Sequence, residues 1–220
     1  MIRKLANTSD IDSLAIKLRR KRLDFFMSLL DRLRPPLKLL DIGGKEKFWK
    51  SMDVINFDGI NITILNIESQ KVSLPNCISN LGDARYMPEY KDGEFDVVFS
   101  NSVIEHLGNY DDQKRMANEV IRVGKRYFVQ TPNRYFPIEP HFHFPLFQFL
   151  PKKTRIWLQT HRNLGWRKKI PDFELAERSI EEVRLLSKSE LLLLFPHARI
   201  YEEVFFGLKK SFIAYYGWDS

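Results

Sequence analysis

The order of apolar and polar positions along the chain predicts alternating helices and strands. Apolar residues recur at helical spacing over residues 10–34, which predicts an amphipathic helix that Pro35-Pro36 ends. Another helix is predicted over residues 111–123. Short apolar runs predict strands over residues 37–42, 60–67, 77–82, 95–100 and 126–130. These strands lack a long polar alternation, as expected for a parallel sheet that is covered on both faces.

The pattern changes after the fifth strand. Residues 134–178 are rich in proline, aromatic and basic residues and are too irregular for standard strand–helix units, so we interpret them as an inserted lid or substrate-binding segment. Regular structure resumes with a helix over residues 187–195, where Ser187 and Glu190 fit a capping box. Two closing strands, whose short link predicts a hairpin and an antiparallel final strand, span residues 198–206 and 211–217.

Length and composition favour one α/β domain over residues 1–220. With 44% hydrophobic residues, a chain of 220 residues can bury a full core. The single cysteine, Cys77, excludes an internal disulfide and suits a reducing cytosol. No apolar run reaches the roughly 20 residues that span a bilayer, and the N-terminus lacks the apolar core of a signal peptide. We therefore expect a cytoplasmic protein.

The basic residues are concentrated, although the net charge of +7 is moderate. No Asp or Glu occurs from Pro140 to Pro171. This stretch carries Lys152, Lys153, Arg155, Arg162, Arg167, Lys168 and Lys169. It is either a solvated face over buried aromatic residues or a docking surface for an anionic partner, such as phosphate groups, acidic lipid head groups or nucleic acid.

The first predicted strand ends in Asp41-Ile42-Gly43-Gly44, a turn that brings backbone close to a nucleotide-like ligand in α/β sheets. A dinucleotide site requires Gly-x-Gly-x-x-Gly, and neither glycine starts that pattern. A Walker phosphate-binding loop is also absent. The turn therefore suits a ligand without a pyrophosphate.

Polar residues follow the next three strands. Asn66 and Glu68 end the second strand, where paired acceptors can take the hydroxyls of a ribose. Asp83 follows the third strand, where a carboxylate can accept a hydrogen bond from an exocyclic adenine amine. Asn101 follows the fourth strand. These groups are expected at one edge of the sheet.

Taken in order, these motifs resemble those of class I S-adenosylmethionine-dependent methyltransferases, within the type 11 small-molecule branch that includes quinone-biosynthesis enzymes. They are Asp41-x-Gly43-Gly44, the polar end of strand two, Gly82-Asp83-Ala84, and Phe95-Asp96-Val97-Val98 with Val103-Ile104-Glu105-His106-Leu107. The resemblance covers residues 37–133. It implies a Rossmann-like three-layer sandwich with a mostly parallel seven-stranded sheet and an antiparallel C-terminal strand.

The resemblance also implies S-adenosylmethionine as the cofactor. The residues implied to contact it are Asp41, Gly43 and Gly44 at the methionine part, Asn66 and Glu68 at the ribose, Asp83 and Ala84 at the adenine, and Asn101 at the methionine amino group. The chain departs from the family at Asn66, where an acid is usual. Lys45 and Lys47 also replace the later glycines of the first motif.

A general base is required if the acceptor is a hydroxyl group that must lose a proton. The candidates are His106, Glu139, His141 and His143. The last three follow strand five, at the edge where an acceptor would enter. Because His141 and His143 have no third ligand nearby in sequence, we expect no metal site.

The segment from Thr131 to Pro151 resembles methyltransferases of bacterial glycan and lipopolysaccharide synthesis. An anionic or sugar-containing acceptor, and peripheral contact with the inner face of the membrane, would suit its aromatic and basic residues. Two alternatives stay open. The pI of 9.4 favours an RNA methyltransferase, although no Asn-Pro-Pro-Tyr motif follows strand four. The substitutions Lys45 and Lys47 favour a catalytically inactive domain that still binds S-adenosylmethionine.

Overall fold

A computed structural model describes residues 14–50 and 59–218, with side chains from residue 19 onwards. The helices are α1 (Leu14–Leu30), α2 (Glu46–Lys50), α3 (Tyr110–Val123), α4 (Lys152–His161), α5 (Phe173–Glu181) and α6 (Lys188–Leu194). The strands are β1 (Leu37–Ile42), β2 (Ile60–Asn66), β3 (Cys77–Leu81), β4 (Val97–Asn101), β5 (Tyr127–Pro132), β6 (Arg199–Phe205) and β7 (Leu208–Tyr216). Within these described ranges, 3₁₀ helices span Ile104–Leu107 and Phe147–Phe149.

The described strands form one seven-stranded sheet in the order β3-β2-β1-β4-β5-β7-β6. Strands β1 to β5 are parallel to one another, whereas β7 is antiparallel to both β5 and β6. This arrangement confirms the predicted mostly parallel sheet with an antiparallel final strand. The order in which strands are added reverses at β1: β2 and β3 lie on one side of it, and β4 and β5 lie on the other. The carboxyl ends of the adjacent strands β1 and β4 therefore form the crevice where open α/β sheets bind ligands.

Alternate residues of each central strand pack on opposite faces of the sheet. In β1, Leu39 joins the core under α1, whereas Leu40 joins the core under α3 and α6. The strands are buried on both faces, which explains their continuous apolar runs. The capping box of α6 is present as predicted, because the Ser187 side chain and the Glu190 carboxylate each accept the other's backbone N–H.

Helices α4 and α5 lie in the segment that the sequence pattern left irregular, and that part of the prediction is wrong. The segment has its own apolar cluster, formed by Phe142, Phe147, Ile156, Leu158, Leu164, Ala176 and Ile180. Helix α5 is capped by Asp172 and continues to Glu181, past the predicted end of the segment at residue 178. The interpretation of this segment as a substrate-binding lid stays a prediction.

Other element boundaries also differ from the predictions. Helix α1 ends at Leu30 rather than residue 34, and the first four residues predicted for it lie outside the described residues. The fourth strand begins at Val97 instead of residue 95. The last hairpin has a two-residue turn, Phe206-Gly207, in which both residues have positive φ. Such a turn matches the twist of the strands, so β7 begins at Leu208 rather than residue 211.

A buried ion pair joins α1 to the far end of the chain. The Arg22 guanidinium donates two hydrogen bonds to the Glu203 carboxylate on β6, at 2.6 and 2.9 Å, and a third to the Asn101 side-chain oxygen at 2.5 Å. The side chains of Arg22 and Glu203 are only 11% and 6% exposed. Because the bidentate geometry satisfies both charges, this pair holds α1 against the carboxyl edge of the sheet.

Removal of the Arg22 charge is expected to destabilise the fold. Arg22→Met leaves the buried Glu203 carboxylate without its cation, so we expect the free energy of unfolding to fall by roughly 3–5 kcal/mol. Urea unfolding followed by circular dichroism measures this loss. Lys21→Met, at the exposed neighbouring position, is the control and should change stability by less than about 0.5 kcal/mol. Equal losses in the two variants would contradict a structural role for the ion pair.

Candidate functional site

The turn after β1 requires both of its glycines. Gly43 has a φ of 71°, and a Cβ atom there would lie 2.5 Å from Val103 Cγ2. A Cβ on Gly44 would lie 1.7 Å from the Asp41 Oδ2 atom. Any larger residue would therefore displace the turn, which explains why the chain keeps Gly-Gly even though the later glycines of the first motif are missing.

The Asp41 carboxylate supports this turn from within the protein. It is 1% exposed and accepts a hydrogen bond from Trp49 Nε1 at 2.6 Å. Burial raises the pKa of Asp41 to about 7, against the opposing effect of the Trp49 hydrogen bond. The lysines that follow the turn take no part in the contact between Asp41 and Trp49. Lys45 and Lys47 are exposed, and Glu46 between them begins α2.

A cavity of about 260 Å³ opens above the turn. Its lining includes four residues that the sequence predicted for cofactor binding: Asp41, Gly43, Gly44 and Asn101. Its other residues are Arg19, Arg22, Leu23, Ile42, Lys45, Phe48 and Phe99. The cationic side chains come from α1 and the loop after β1. No cofactor role was predicted for them from the sequence.

The residues predicted for the ribose and adenine are outside the lining of this cavity. The Asn66 side chain donates to the Gly44 carbonyl at 3.3 Å, and Gln70 donates to the same oxygen at 2.9 Å. Asn66 therefore holds the glycine turn, while Glu68 is exposed on the same loop. Ala84 is buried, whereas Asp83 forms an ion pair with Arg85 at 2.6 Å.

A second polar group forms at the carboxyl edge of β4 and β5. The Glu139 carboxylate is 2% exposed and accepts backbone N–H groups of His141 and Phe142. Its Oε1 atom lies 2.6 Å from His141 Nδ1. Because a carboxylate is acceptor-only, this contact assigns the Nδ1 proton to His141 and leaves Nε2 as the basic nitrogen of the neutral ring.

The His141 Nε2 atom faces His106 and Glu105. It lies 3.3 Å from His106 Nε2, and one ligand atom from each of the three residues lies within 4.8 Å of the others. Glu105 is fully buried: its Oε2 accepts from Thr131 Oγ1 at 3.1 Å, and its Oε1 has no hydrogen-bond partner among the described residues. Such a set can relay a proton or hold a divalent cation.

Desolvation shifts the pKa values of the two neighbours of His141 in opposite directions. Desolvation raises the pKa of Glu105 to about 7. Desolvation, with a smaller contribution from His141, lowers the pKa of His106 to about 4. His106 is therefore neutral at pH 7. The expectation that no metal binds assumed only His141 and His143 as ligands, whereas the structure brings together a different set that includes Glu105.

The third predicted histidine, His143, has different surroundings. Its backbone N–H donates to the Glu139 carbonyl at 2.8 Å, and its ring lies against Trp166. The structure therefore brings His106 and His141 together with Glu105. Glu105 belonged to the quoted Glu-His-Leu motif, but no feature of the sequence indicated that its carboxylate would be buried beside His141.

The raised pKa of Asp41 predicts a dependence of stability on pH. Between about pH 4 and pH 7 the folded protein keeps the Asp41 proton that the unfolded chain has lost, so the contribution of Asp41 to stability falls as pH rises through this window. Asp41→Asn keeps the size of the side chain and an acceptor for Trp49 but removes this titration. Relative to wild type, we expect its free energy of unfolding to increase by roughly 2–3 kcal/mol between pH 5 and pH 8.

Urea unfolding of both proteins at the two pH values measures this difference. Asp111→Asn, at an exposed position of α3, is the matched control and should show the same difference from wild type at both pH values. If the Asp41→Asn difference is also constant, the carboxyl group is ionised in the folded protein throughout and the assignment is wrong.

The comparisons with known proteins agree with this geometry. The family described as a methyltransferase domain matches residues 43–127. An uncharacterized protein of Mycobacterium tuberculosis is 43% identical over 71 residues, which cover 32% of this chain and 24% of that protein's length. The chain therefore corresponds to about a quarter of that relative.

Two solved structures share the fold over almost the whole chain. A SAM-dependent methyltransferase from Aquifex aeolicus aligns with a TM-score of 0.54 at 16% identity, over 97% of this chain and 95% of that one. One from Methanosarcina mazei aligns with a TM-score of 0.52 at 16% identity, over 84% and 93%. Residues 43–127 thus match the methyltransferase-domain family, and the fold is that of SAM-dependent methyltransferases, which points to S-adenosylmethionine as the cofactor.

Proposed function

We propose that this protein transfers a methyl group from S-adenosylmethionine to a hydroxyl group of a small-molecule, glycan or lipid-linked acceptor. The observation that carries the proposal is the Glu139–His141 pair at the edge of the sheet that also carries the cofactor cavity. Only three residues separate Asn101, which lines that cavity, from Glu105, which faces His141. This short separation supports the proposal that a base lies close to the methyl donor.

The cavity fits the methionine part of the cofactor. Gly43 and Gly44 allow close approach of the backbone, and Asn101 ends β4 at the opposite wall. Arg19 and Lys45 supply positive charge for the cofactor carboxylate. Arg22 is already committed to Glu203 and Asn101, so we assign it to shaping the wall. When bound, S-adenosylmethionine supplies a methyl group on a sulfonium centre that is already reactive.

The remaining task of the protein is to deprotonate and orient the acceptor. His141 Nε2 would take the proton of the acceptor hydroxyl group, while the bound cofactor would supply the methyl group and leave as S-adenosylhomocysteine. The resulting imidazolium is stabilised by the buried Glu139 carboxylate, which also fixes the ring orientation through Nδ1. His106, neutral at pH 7, has its own ring nitrogen 3.3 Å away, and its lowered pKa disfavours transfer of the proton to it.

Glu68 is the group we assign to the ribose hydroxyls, because Asn66 already donates to the glycine turn. We expect the wild type to bind S-adenosylmethionine and S-adenosylhomocysteine in calorimetry. Glu68→Ala should weaken binding by about 10-fold or more, the effect of losing hydrogen bonds to a charged group. Glu174→Ala, at an exposed position in α5, is the control and should bind as tightly as wild type.

The two possible failures of this experiment have different meanings. If the folded wild type binds neither cofactor form, the proposed function is wrong. If Glu68→Ala binds the cofactor as tightly as the control does, the cofactor assignment is unaffected, and the contact to the ribose is assigned to Asn66 instead.

Loss of the proposed base should stop transfer without affecting cofactor binding. His141→Gln should reduce transfer of radiolabelled methyl from S-adenosylmethionine by about 10²–10⁴-fold, since this is the usual contribution of general-base catalysis. The affinity for S-adenosylhomocysteine should stay unchanged. The assay uses separate bacterial glycan, lipid and RNA extracts as acceptors. His161→Gln, at an exposed histidine of α4, is the control.

Each alternative predicts a distinct outcome in this assay. Labelling of RNA alone would favour the RNA methyltransferase, and cofactor binding without labelling of any extract would favour the inactive binding domain. Activity that is lost with a chelator and restored by Zn²⁺ would favour a cation held by Glu105, His106 and His141 in place of direct proton transfer.

A further inference from the structure

A second cavity, of about 340 Å³, lies within the segment between β5 and α6. Three arginines from separate elements contribute to its wall: Arg134 after β5, Arg155 on α4 and Arg184 after α5. The rest of the wall is Glu139, Phe142, Phe147, Gln148, Ile180, Val183 and Leu185. Glu139 links this cavity to the proposed base, because its carboxylate also contacts the His141 ring.

Two buried polar atoms of this wall lack a hydrogen-bond partner among the described residues. They are a donor, Arg155 Nε, and an acceptor, Gln148 Oε1. The orientation of the Gln148 amide is fixed, because its Nε2 donates to the carbonyls of Arg134 and Phe136 at 2.9 and 2.8 Å. Buried polar groups are nearly always hydrogen-bonded, so a donor and an acceptor without partners in one cavity point to a polar ligand.

The positive charge of the arginines in the cavity wall favours an anionic ligand. Arg155 has no ion pair within the described part of the chain, and its neighbour Glu181 is bound to Lys152 at 2.6 Å. Desolvation lowers the pKa of the Arg155 guanidinium, which indicates that the charge is kept there at a cost. The side chain of Arg134 also has no ion pair among the described residues. A bound anion would stabilise both guanidinium groups.

The acidic residue in the wall forms no ion pair with these arginines within the described part of the chain. Both oxygens of Glu139 accept hydrogen bonds from the loop that follows it, through the N–H groups of His141 and Phe142 and the His141 ring. Arg184 is held by Glu190 at 2.5 Å and by Gln113 at 2.8 Å, and its guanidinium lies over the Tyr110 ring. The guanidinium groups without an ion pair are therefore those of Arg134 and Arg155.

We propose that this cavity binds a phosphate group of the methyl acceptor. Arg134 and Arg155 would hold the phosphate oxygens, and Gln148 Oε1 would accept a hydrogen bond from a neighbouring hydroxyl of the same molecule. Its volume lies at the lower end of the range for small-molecule sites and suits a sugar phosphate. The inference rests on the proposed function, since Glu139 lines the cavity and orients the base that would act on the acceptor.

Calorimetry with glucose 1-phosphate, glucose and inorganic phosphate tests the site without requiring the reaction. We expect glucose 1-phosphate to bind at least 10-fold more tightly than glucose, and more tightly than inorganic phosphate. Arg155→Gln should weaken glucose 1-phosphate binding by 10-fold or more. Arg162→Gln is the matched control, because it removes the same charge at an exposed position just after α4.

Equal binding of glucose and glucose 1-phosphate would overturn the proposal, as would equal effects of Arg155→Gln and Arg162→Gln. Inorganic phosphate that binds as tightly as glucose 1-phosphate would overturn the contact to Gln148. Binding of S-adenosylhomocysteine by the same samples separates this inference from the proposed function. If the cofactor binds and the sugar phosphate does not, only the acceptor site is wrong.

Discussion

The glycine turn after β1 and the cavity above it depend on the burial of one carboxyl group. Asp41 lies inside the core at the end of β1, where it accepts the indole N–H of Trp49 and contacts the Cα side of Gly44. This contact determines which residue can follow the strand and where the backbone turns. The indole in turn belongs to the aromatic cluster of Phe26 and Phe99 beneath α1. The position of the turn is thus set by core packing rather than by a glycine-rich loop.

The site is built from two parts of the molecule: a rigid part in the sheet and an added segment beside it. The rigid part consists of strand ends, whose positions follow from the hydrogen bonds of the sheet. The added part is the segment between β5 and α6, which packs around its own apolar cluster. Glu139 joins them, because it organises the loop that carries His141 while the ring of His141 meets His106 on the other side. Under the proposed function, specificity can therefore change in the added segment while the edge that holds the cofactor stays constant.

Much of the fold could be predicted because its signals are local. The apolar runs of β1 and β2 and the Ser187–Glu190 capping box each lie within a few residues of sequence. Helices α4 and α5 were missed because proline and aromatic residues interrupt their surroundings, and their small core forms only when distant side chains meet. The four cavity residues Asp41, Gly43, Gly44 and Asn101 were found from motif order. Glu105 and Arg22 were not, because their partners come from other parts of the chain.

The Arg22–Glu203 pair has a consequence for how the domain is made. The two residues are 181 positions apart, so Arg22 in the cavity wall gains its partner on β6 only after the intervening chain has been synthesised. Closing so long a loop is entropically costly and is compensated only once the final hairpin has docked. During synthesis, α1 and the glycine turn would be present long before they could form a competent cavity. A nascent or truncated chain without β6 would therefore have the motifs of the family without a closed pocket for its cofactor.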